Sequence, residues 1–267
     1  MNEAAKYYAL TEGPYLQLCP DRSGYMNMGS WPALSLEDAQ KKLIRELVSF
    51  RGSRNPKSPS LIVDAGSGWG AARKMFFELF PECKYIGINN SARQIAHARR
   101  VNSEIPFTEY KCMDIEEFCP EIFDGGSVLV AVEAAFHFEC KEGVIAKMSH
   151  AGIEEVMLAE ICSSRSLDVS ADPLLKAPLR HCWTVDKYEE ELRRNGYSEF
   201  SLVDVSNRTF EGFLNYLMTL DPQSMGSSRR LVRQFQKAFA RMMELAVAGQ
   251  LRYVFIVAAK PIGAPFY

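Results

Sequence analysis

No stretch of this sequence stays apolar for the roughly 20 residues that a membrane-crossing helix needs, so no membrane span is expected. The first residues are polar and aromatic and lack the apolar core of a signal peptide. The seven cysteines, at positions 19, 83, 112, 119, 140, 162 and 182, are odd in number and scattered, with no pair at CxxC spacing. That pattern supports neither a disulfide framework nor a zinc site, and reduced thiols in the cytoplasm are the expectation. No charge of one sign dominates: 31 Lys and Arg stand against 33 Asp and Glu, a net charge of -2. A footprint for nucleic acid or an anionic membrane surface is therefore missing. Internal repeats, low-complexity tracts and metal-ligand clusters are also absent from the sequence.

What is present is most concentrated at residues 61–70, Leu-Ile-Val-Asp-Ala-Gly-Ser-Gly-Trp-Gly. The apolar run reads as a buried strand. Gly66, Gly68 and Gly70 read as a tight turn whose backbone can approach a ligand closely. An amphipathic stretch from Ala71 to Phe80 follows, so the turn opens a helix. Strand, bare glycine turn and helix together form a nucleotide-cofactor cradle in an open α/β sheet.

The rest of the chain supplies the remaining layers. Leu36, Ala39, Leu43, Leu47 and Phe50 recur at helical spacing behind Ser35, a candidate N-cap. A polar linker occupies 51–59. Further strands are expected at 85–88, 108–113, 127–132 and 156–161, with helices at 91–101 and 141–149 between them. Alternating strands and helices argue for a parallel sheet covered on both faces. A short helix at 187–195, closing strands at 200–205 and 253–259, and a helical insertion at about 210–248 complete the order.

Two ligands compete for the glycine turn. Gly66-x-Gly68-x-x-Ala71 meets the loose dinucleotide pattern, which alone is weak. A dinucleotide site wants an acidic residue about 20 residues on, and the second strand ends instead in Asn89. Asp64, at the tip of the first strand, would repel a pyrophosphate but suits a cation. S-adenosylmethionine, with a sulfonium, an ammonium and no phosphate, is favoured on these grounds.

Residues 62–70 resemble motif I of the class I S-adenosylmethionine-dependent methyltransferases. The resemblance continues at Gly87-Ile-Asn-Asn-Ser-Ala-Arg-Gln94, Asp114-Ile-Glu-Glu-Phe118 and Glu133-Ala-Ala-Phe-His137. Met26-Asn-Met-Gly-Ser-Trp31 and Ser35-Leu-Glu-Asp-Ala-Gln40 look like the leading segment of one subgroup. That subgroup holds small-molecule methyltransferases of natural-product pathways and the related cyclopropane fatty acid synthases. The resemblance implies a Rossmann-like seven-stranded methyltransferase sheet with helices on both faces, an N-terminal helical cover at 1–50, a core at 60–267 and a helical lid at about 210–248. It implies S-adenosylmethionine as cofactor, S-adenosylhomocysteine as product and a small-molecule acceptor methylated at oxygen or nitrogen. C-methylation or cyclopropanation of a lipid or alkene, and a cyclase of the same fold that transfers no methyl, are the alternatives.

The resemblance also assigns residues. Gly66 and Gly68 underlie the methionyl part, with Asp64 beside them; Asn89 lies at the ribose, Gln94 matches a polar residue of the same subgroup, and Asn90 joins the cofactor-binding positions; Asp114 and Ile115 border the adenine. Met26 and Asn27 close over the cofactor, and Glu133 contacts it or orients its loop. Asn89 replaces the commoner acid, and Ser149-His-Ala-Gly-Ile-Glu154 stands where the family has a Pro-Gly-Gly turn. His137, just after the fourth strand at the edge where open sheets bind ligands, is the candidate general base, expected to give an acid limb as its imidazole protonates. Glu160, His181 and Trp183 are candidates for the acceptor pocket, each with a structural alternative: an arginine partner for Glu160 and core packing for Trp183. Arg229, Arg233, Lys237 and Arg241 share a helix face, which reads first as a solvated stripe and second as recognition of an acidic substrate.

Overall fold

The computed structural model describes residues 24–123, 125–164, 167, 169, 175–224 and 229–261. Cys19 and the first part of the expected N-terminal cover lie outside them. Within them the chain forms α1 (Leu36–Gly52), β1 (Leu61–Ala65), α2 (Ala71–Leu79), β2 (Lys84–Asn89), α3 (Ala92–Val101), β3 (Thr108–Cys112), β4 (Ser127–Val132), α4 (Lys141–His150) and β5 (Glu155–Ser163). There follow α5 (Lys176–Leu179), α6 (Val185–Arg194), β6 (Glu199–Asp204), a π-turn at Asn207–Glu211, α7 (Gly212–Thr219), α8 (Arg229–Val247) and β7 (Leu251–Ala259).

The strands make one seven-stranded sheet in the order β3-β2-β1-β4-β5-β7-β6. The first five are parallel, and β7 runs antiparallel between β5 and β6. β1 and β5 are buried along their whole length, which is why their apolar residues run together rather than alternate, with Asp64, Glu155, Glu160 and Ser163 as the buried polar exceptions. Two apolar cores flank the sheet. One joins α1, α2 and the α7–α8 pair; the other joins α4 and α6. The caps expected from sequence form: Ser35 accepts from Asp38 N and Ser91 from Gln94 N.

The expected helical insertion is two helices behind a π-turn. Phe213 of α7 packs edge-on against Phe239 of α8, ring centroids 4.8 Å apart. Phe235 and Met242 are buried, whereas Arg229, Arg233, Lys237 and Arg241 are exposed, so the basic stripe is a solvated face. The pair also holds the segment ahead of α1. Trp31 donates its backbone N–H to Arg208 O at 2.9 Å, and its ring stacks on Tyr216. Its ring lies where a Cβ on Gly212 would stand 2.2 Å away, so only glycine permits the contact.

At the amino edge of the sheet, Arg51 Nε lies 2.8 Å from Glu155 Oε2, with both side chains almost wholly buried. This pair clamps the end of α1 to the start of β5. Among the described residues no helix is long and apolar enough to cross a membrane.

Candidate active site

The strand order reverses between β1 and β4, and such a switch point opens a crevice at the carboxyl ends of the strands. A cavity lies there. Its walls come from the residues after β1, β2, β3 and β4, closed by the segment at 24–27. Asp64, Gly66 and Gly68 line it from β1, Asn89, Asn90 and Gln94 from β2 and α3, Asp114 and Ile115 from β3. Glu133 and His137 line it from β4, and Met26 and Asn27 from the leading segment. All the positions assigned to the cofactor, and the candidate base, thus share one cavity.

The three turn glycines all hold positive φ, at 89° for Gly66, 53° for Gly68 and 80° for Gly70, yet their surroundings differ. A Cβ on Gly66 would stand 2.4 Å from the Ala134 Cβ, and one on Gly70 2.7 Å from the Ala98 Cβ. These two let the turn pack against its neighbours. A Cβ on Gly68 would meet only Met26 Sδ and Gln94 Oε1, at 3.9 and 4.0 Å. Gly68 therefore keeps open a space in the cavity, which Gly66 also lines.

Asp64 is buried and accepts a 2.5 Å hydrogen bond from the Tyr85 hydroxyl. Burial pushes its carboxyl up to about 6, against the pull of that hydrogen bond. A bound cation favours the ionised form. Affinity for S-adenosylmethionine should therefore be full above pH 6 and fall as pH drops through about 6, by up to ~10-fold per unit. Calorimetric titrations across this range check it, and Asp64→Asn should flatten the profile.

The neighbouring wall is a chain of side chains. Asn89 Nδ2 donates to Gln94 Oε1 at 2.7 Å, and Gln94 Nε2 to Met26 Sδ at 3.8 Å. Asn27 Oδ1 accepts from Gly29 N, and Gln40 of α1 donates to the carbonyls of Asn27 and Tyr25. The buried Gln40 thus fixes the segment that roofs the cavity. Asp114 turns the chain after β3 by accepting from Glu116 N at 3.0 Å.

After β4, Glu133 takes a φ of 51°, a strained backbone for a residue with a side chain. Its Oε1 accepts from Met28 N at 2.6 Å and from the Tyr253 hydroxyl at 2.8 Å. Burial pushes the carboxyl up to about 7 while these donors hold it back. His137 closes the short turn at Ala135–His137, its ring 4.0 Å from that of Phe136. Burial, then the charge of Lys141 and His181, push its imidazole down to about 3. This corrects the expectation of an acid limb in the ordinary imidazole range: His137 stays neutral throughout it.

Glu160, His181 and Trp183 come together, but not on the cavity wall. They surround Lys141, a buried residue that the sequence reading missed. Lys141 Nζ donates to Phe138 O and His181 O and lies 5.3 Å from the centroid of the Trp183 ring. Glu160 is fully buried and faces this lysine rather than an arginine. Burial raises its pKa and the Lys141 charge opposes the rise. Trp183 packs on Tyr188, centroids 5.0 Å apart. The cluster therefore ties the loop behind His137 to the loop ahead of α6. A lysine at the first position of an amphipathic helix reads as solvated, so no signal in the sequence marked Lys141. Tyr85 was likewise hidden, because its role depends on the parallel pairing of β1 with β2.

The sheet, with its single antiparallel strand and its cavity at the switch point, is the fold of the class I S-adenosylmethionine-dependent methyltransferases. No family model matches the chain. The chain is similar to the trans-aconitate 2-methyltransferase of Acidovorax ebreus (strain TPSY), 27% identical over 95 residues, and the match spans 36% of each protein. Among solved structures it is similar to the cyclopropane synthase MmaA2 from Mycobacterium tuberculosis, with a TM-score of 0.75 and 17% identity over 95% of either chain. It is also similar to the cyclase SpnF, with a TM-score of 0.74 and 18% identity over 97% of this chain and 96% of that one.

Proposed function

We propose that this chain binds S-adenosylmethionine in the cavity and transfers its methyl group to an oxygen or nitrogen of a small-molecule acceptor. One observation carries the reading: a buried carboxylate, Asp64, stands in the wall beside a glycine turn whose Gly68 holds space open. A pyrophosphate would be repelled there and a cation attracted. The residues present fit the group. Asp64 and Gly68 would hold the methionyl part, Asn89 and Gln94 the ribose, Asp114 and Ile115 the adenine. Met26 and Asn27 would roof it and exclude water, which competes as a nucleophile.

S-adenosylmethionine supplies an electrophilic methyl group. The protein's part is then mostly placement of the acceptor in line with it. His137, neutral at working pH, serves that placement as a hydrogen-bonding group in the cavity wall.

Calorimetric titration with S-adenosylmethionine, S-adenosylhomocysteine and NAD tests the cofactor; preference for NAD, or binding of none, would sink the reading. Release of S-adenosylhomocysteine in the presence of hydroxyl- and amine-bearing compounds tests the transfer. The similarity to SpnF and to the cyclopropane synthase supports a second reading, cyclisation or attack by a carbon acceptor. Binding with no S-adenosylhomocysteine release from any acceptor would favour the cyclase. Asn89→Leu should weaken S-adenosylmethionine and S-adenosylhomocysteine alike by about 1–3 kcal/mol, the cost of leaving a buried polar partner unmade, and equal affinities would count against the ribose contact.

A further inference from the structure

Three features of Glu133 set it apart from the rest of the cavity wall. Its backbone holds a φ of 51°, a conformation that a side-chain-bearing residue keeps only where the surroundings enforce it. Its two carboxyl oxygens are unlike. Oε1 takes both donors, Met28 N–H from the roof and the Tyr253 hydroxyl from β7. Oε2 has no hydrogen-bond partner among the described residues and is not one of the buried unpaired atoms. Glu133 lines the cavity, with Oε1 anchored by both donors and Oε2 left outside that pairing.

We propose that Glu133 is the general base of the reaction, its Oε2 taking the proton from the acceptor's O–H or N–H. The proposal rests on the methyl-transfer reading above. In the step, a lone pair of the acceptor oxygen or nitrogen forms the new bond to the methyl carbon. The carbon–sulfur bond breaks and its electron pair stays on sulfur, giving the neutral thioether. The acceptor's proton passes to Glu133 Oε2, the carboxylate becomes a carboxylic acid, and the proton then leaves to solvent. The positive charge of the sulfonium and the negative charge of the carboxylate are consumed together, so the step leaves the net charge of the cavity unchanged.

The electrostatics agree with the geometry. A base works best when its pKa lies near the working pH. Glu133 is pushed up to about 7, whereas His137 is pushed down to about 3. The groups facing Glu133 are the Tyr253 hydroxyl on β7, the Met28 amide on the roof and the Glu160 carboxyl on β5, which feels the charge of Glu133. None of them is a cation that would pull the carboxyl back to its ordinary range.

Glu133→Gln is the sharpest variant, because its amide oxygen can still accept from Met28 and Tyr253. Protein labelled with carbon-13 at the glutamate carboxyl is titrated by NMR, alone and with S-adenosylhomocysteine. The expected result is a carboxyl signal that titrates near pH 7, is missing from Glu133→Gln and still titrates with S-adenosylhomocysteine bound. In the same variant, S-adenosylhomocysteine affinity should be unchanged. Turnover with the acceptor found by the release assay should fall by about 10²- to 10⁴-fold, and the wild-type rise in rate through pH 7 should vanish. A Glu133 signal that titrates near 4.5, or that S-adenosylhomocysteine silences, overturns the proposal. So does near-wild-type turnover in the variant. If Glu133→Gln fails to fold, Glu133→Asp, which withdraws the oxygen by one methylene, assigns the signal instead. Failure of wild type to bind S-adenosylhomocysteine would overturn the cofactor reading, and the titration of the free protein would still judge Glu133.

Discussion

Gly68→Val should give a folded protein that no longer holds S-adenosylmethionine. The turn keeps its shape in this variant because a Cβ at 68 meets only the flexible ends of Met26 and Gln94, at 3.9 and 4.0 Å. The φ of 53° makes the change cost about 1–2 kcal/mol of stability, a few degrees in melting temperature for a chain of this size. The valine methyls then occupy the space that the ligand needs, and affinity should drop by about 100-fold or more, ~2.8 kcal/mol. Gly66→Ala gives the contrast. Its Cβ would sit 2.4 Å from the Ala134 Cβ, a contact that forces backbone to move. That variant should lose stability first and binding as a consequence. Melting curves and calorimetry on both proteins separate the two cases. Undiminished affinity in Gly68→Val would remove this glycine from the site.

Arg51→Met should produce the largest loss of stability of any single change discussed. It strands Glu155, whose side chain is only 3% exposed and whose second oxygen already lacks a partner. Leaving one member of a buried pair costs about 3–5 kcal/mol, which for a chain of this size is roughly 6–20 °C in melting temperature. Burial raises the pKa of Glu155 and Arg51 opposes that rise, so in the variant it climbs further. The deficit should therefore grow as pH rises above the ordinary carboxylate range and shrink below it, where the carboxyl is neutral in both states. Adding Glu155→Leu should restore most of the loss, since an apolar replacement removes the stranded charge. The pair lies at the amino edge of the sheet, away from the cavity, so cofactor affinity should hardly change. An equal loss in the single and double variants would show that the arginine matters through its bond to Lys57 O instead.

Much of the fold was legible because buried parallel strands leave a strong local mark. Leu61–Ala65 and Ser127–Val132 are mostly apolar runs, broken only by Asp64 and Ser127, and were placed to within a residue. Ser35 and Ser91 announced their helices by capping chemistry. The cavity wall was legible for a related reason: most of its residues lie in short segments directly after strands. Distance in sequence hid the rest. Nothing near Glu155 shows that Arg51, 104 residues earlier, is its partner. Likewise the field that lowers His137 comes from Lys141 and His181, brought close only by the packing of the loop ahead of α6. Residue type suggested the histidine as base. Environment, which separates the two candidate groups, is a tertiary property.

The glycine contact at Trp31 has a thermodynamic consequence. The roof of the cavity, residues 24–31, shares one rigid joint with the π-turn and α7 through Trp31, Arg208, Gly212 and Tyr216. A ligand that draws the roof inward must draw α7 with it. If the acceptor rests against those helices, its affinity and that of the cofactor are linked, and by reciprocity each must raise the other by the same factor. Enlarging Gly212 would uncouple them, leaving two sites that fill independently in a protein whose cavity wall is unaltered.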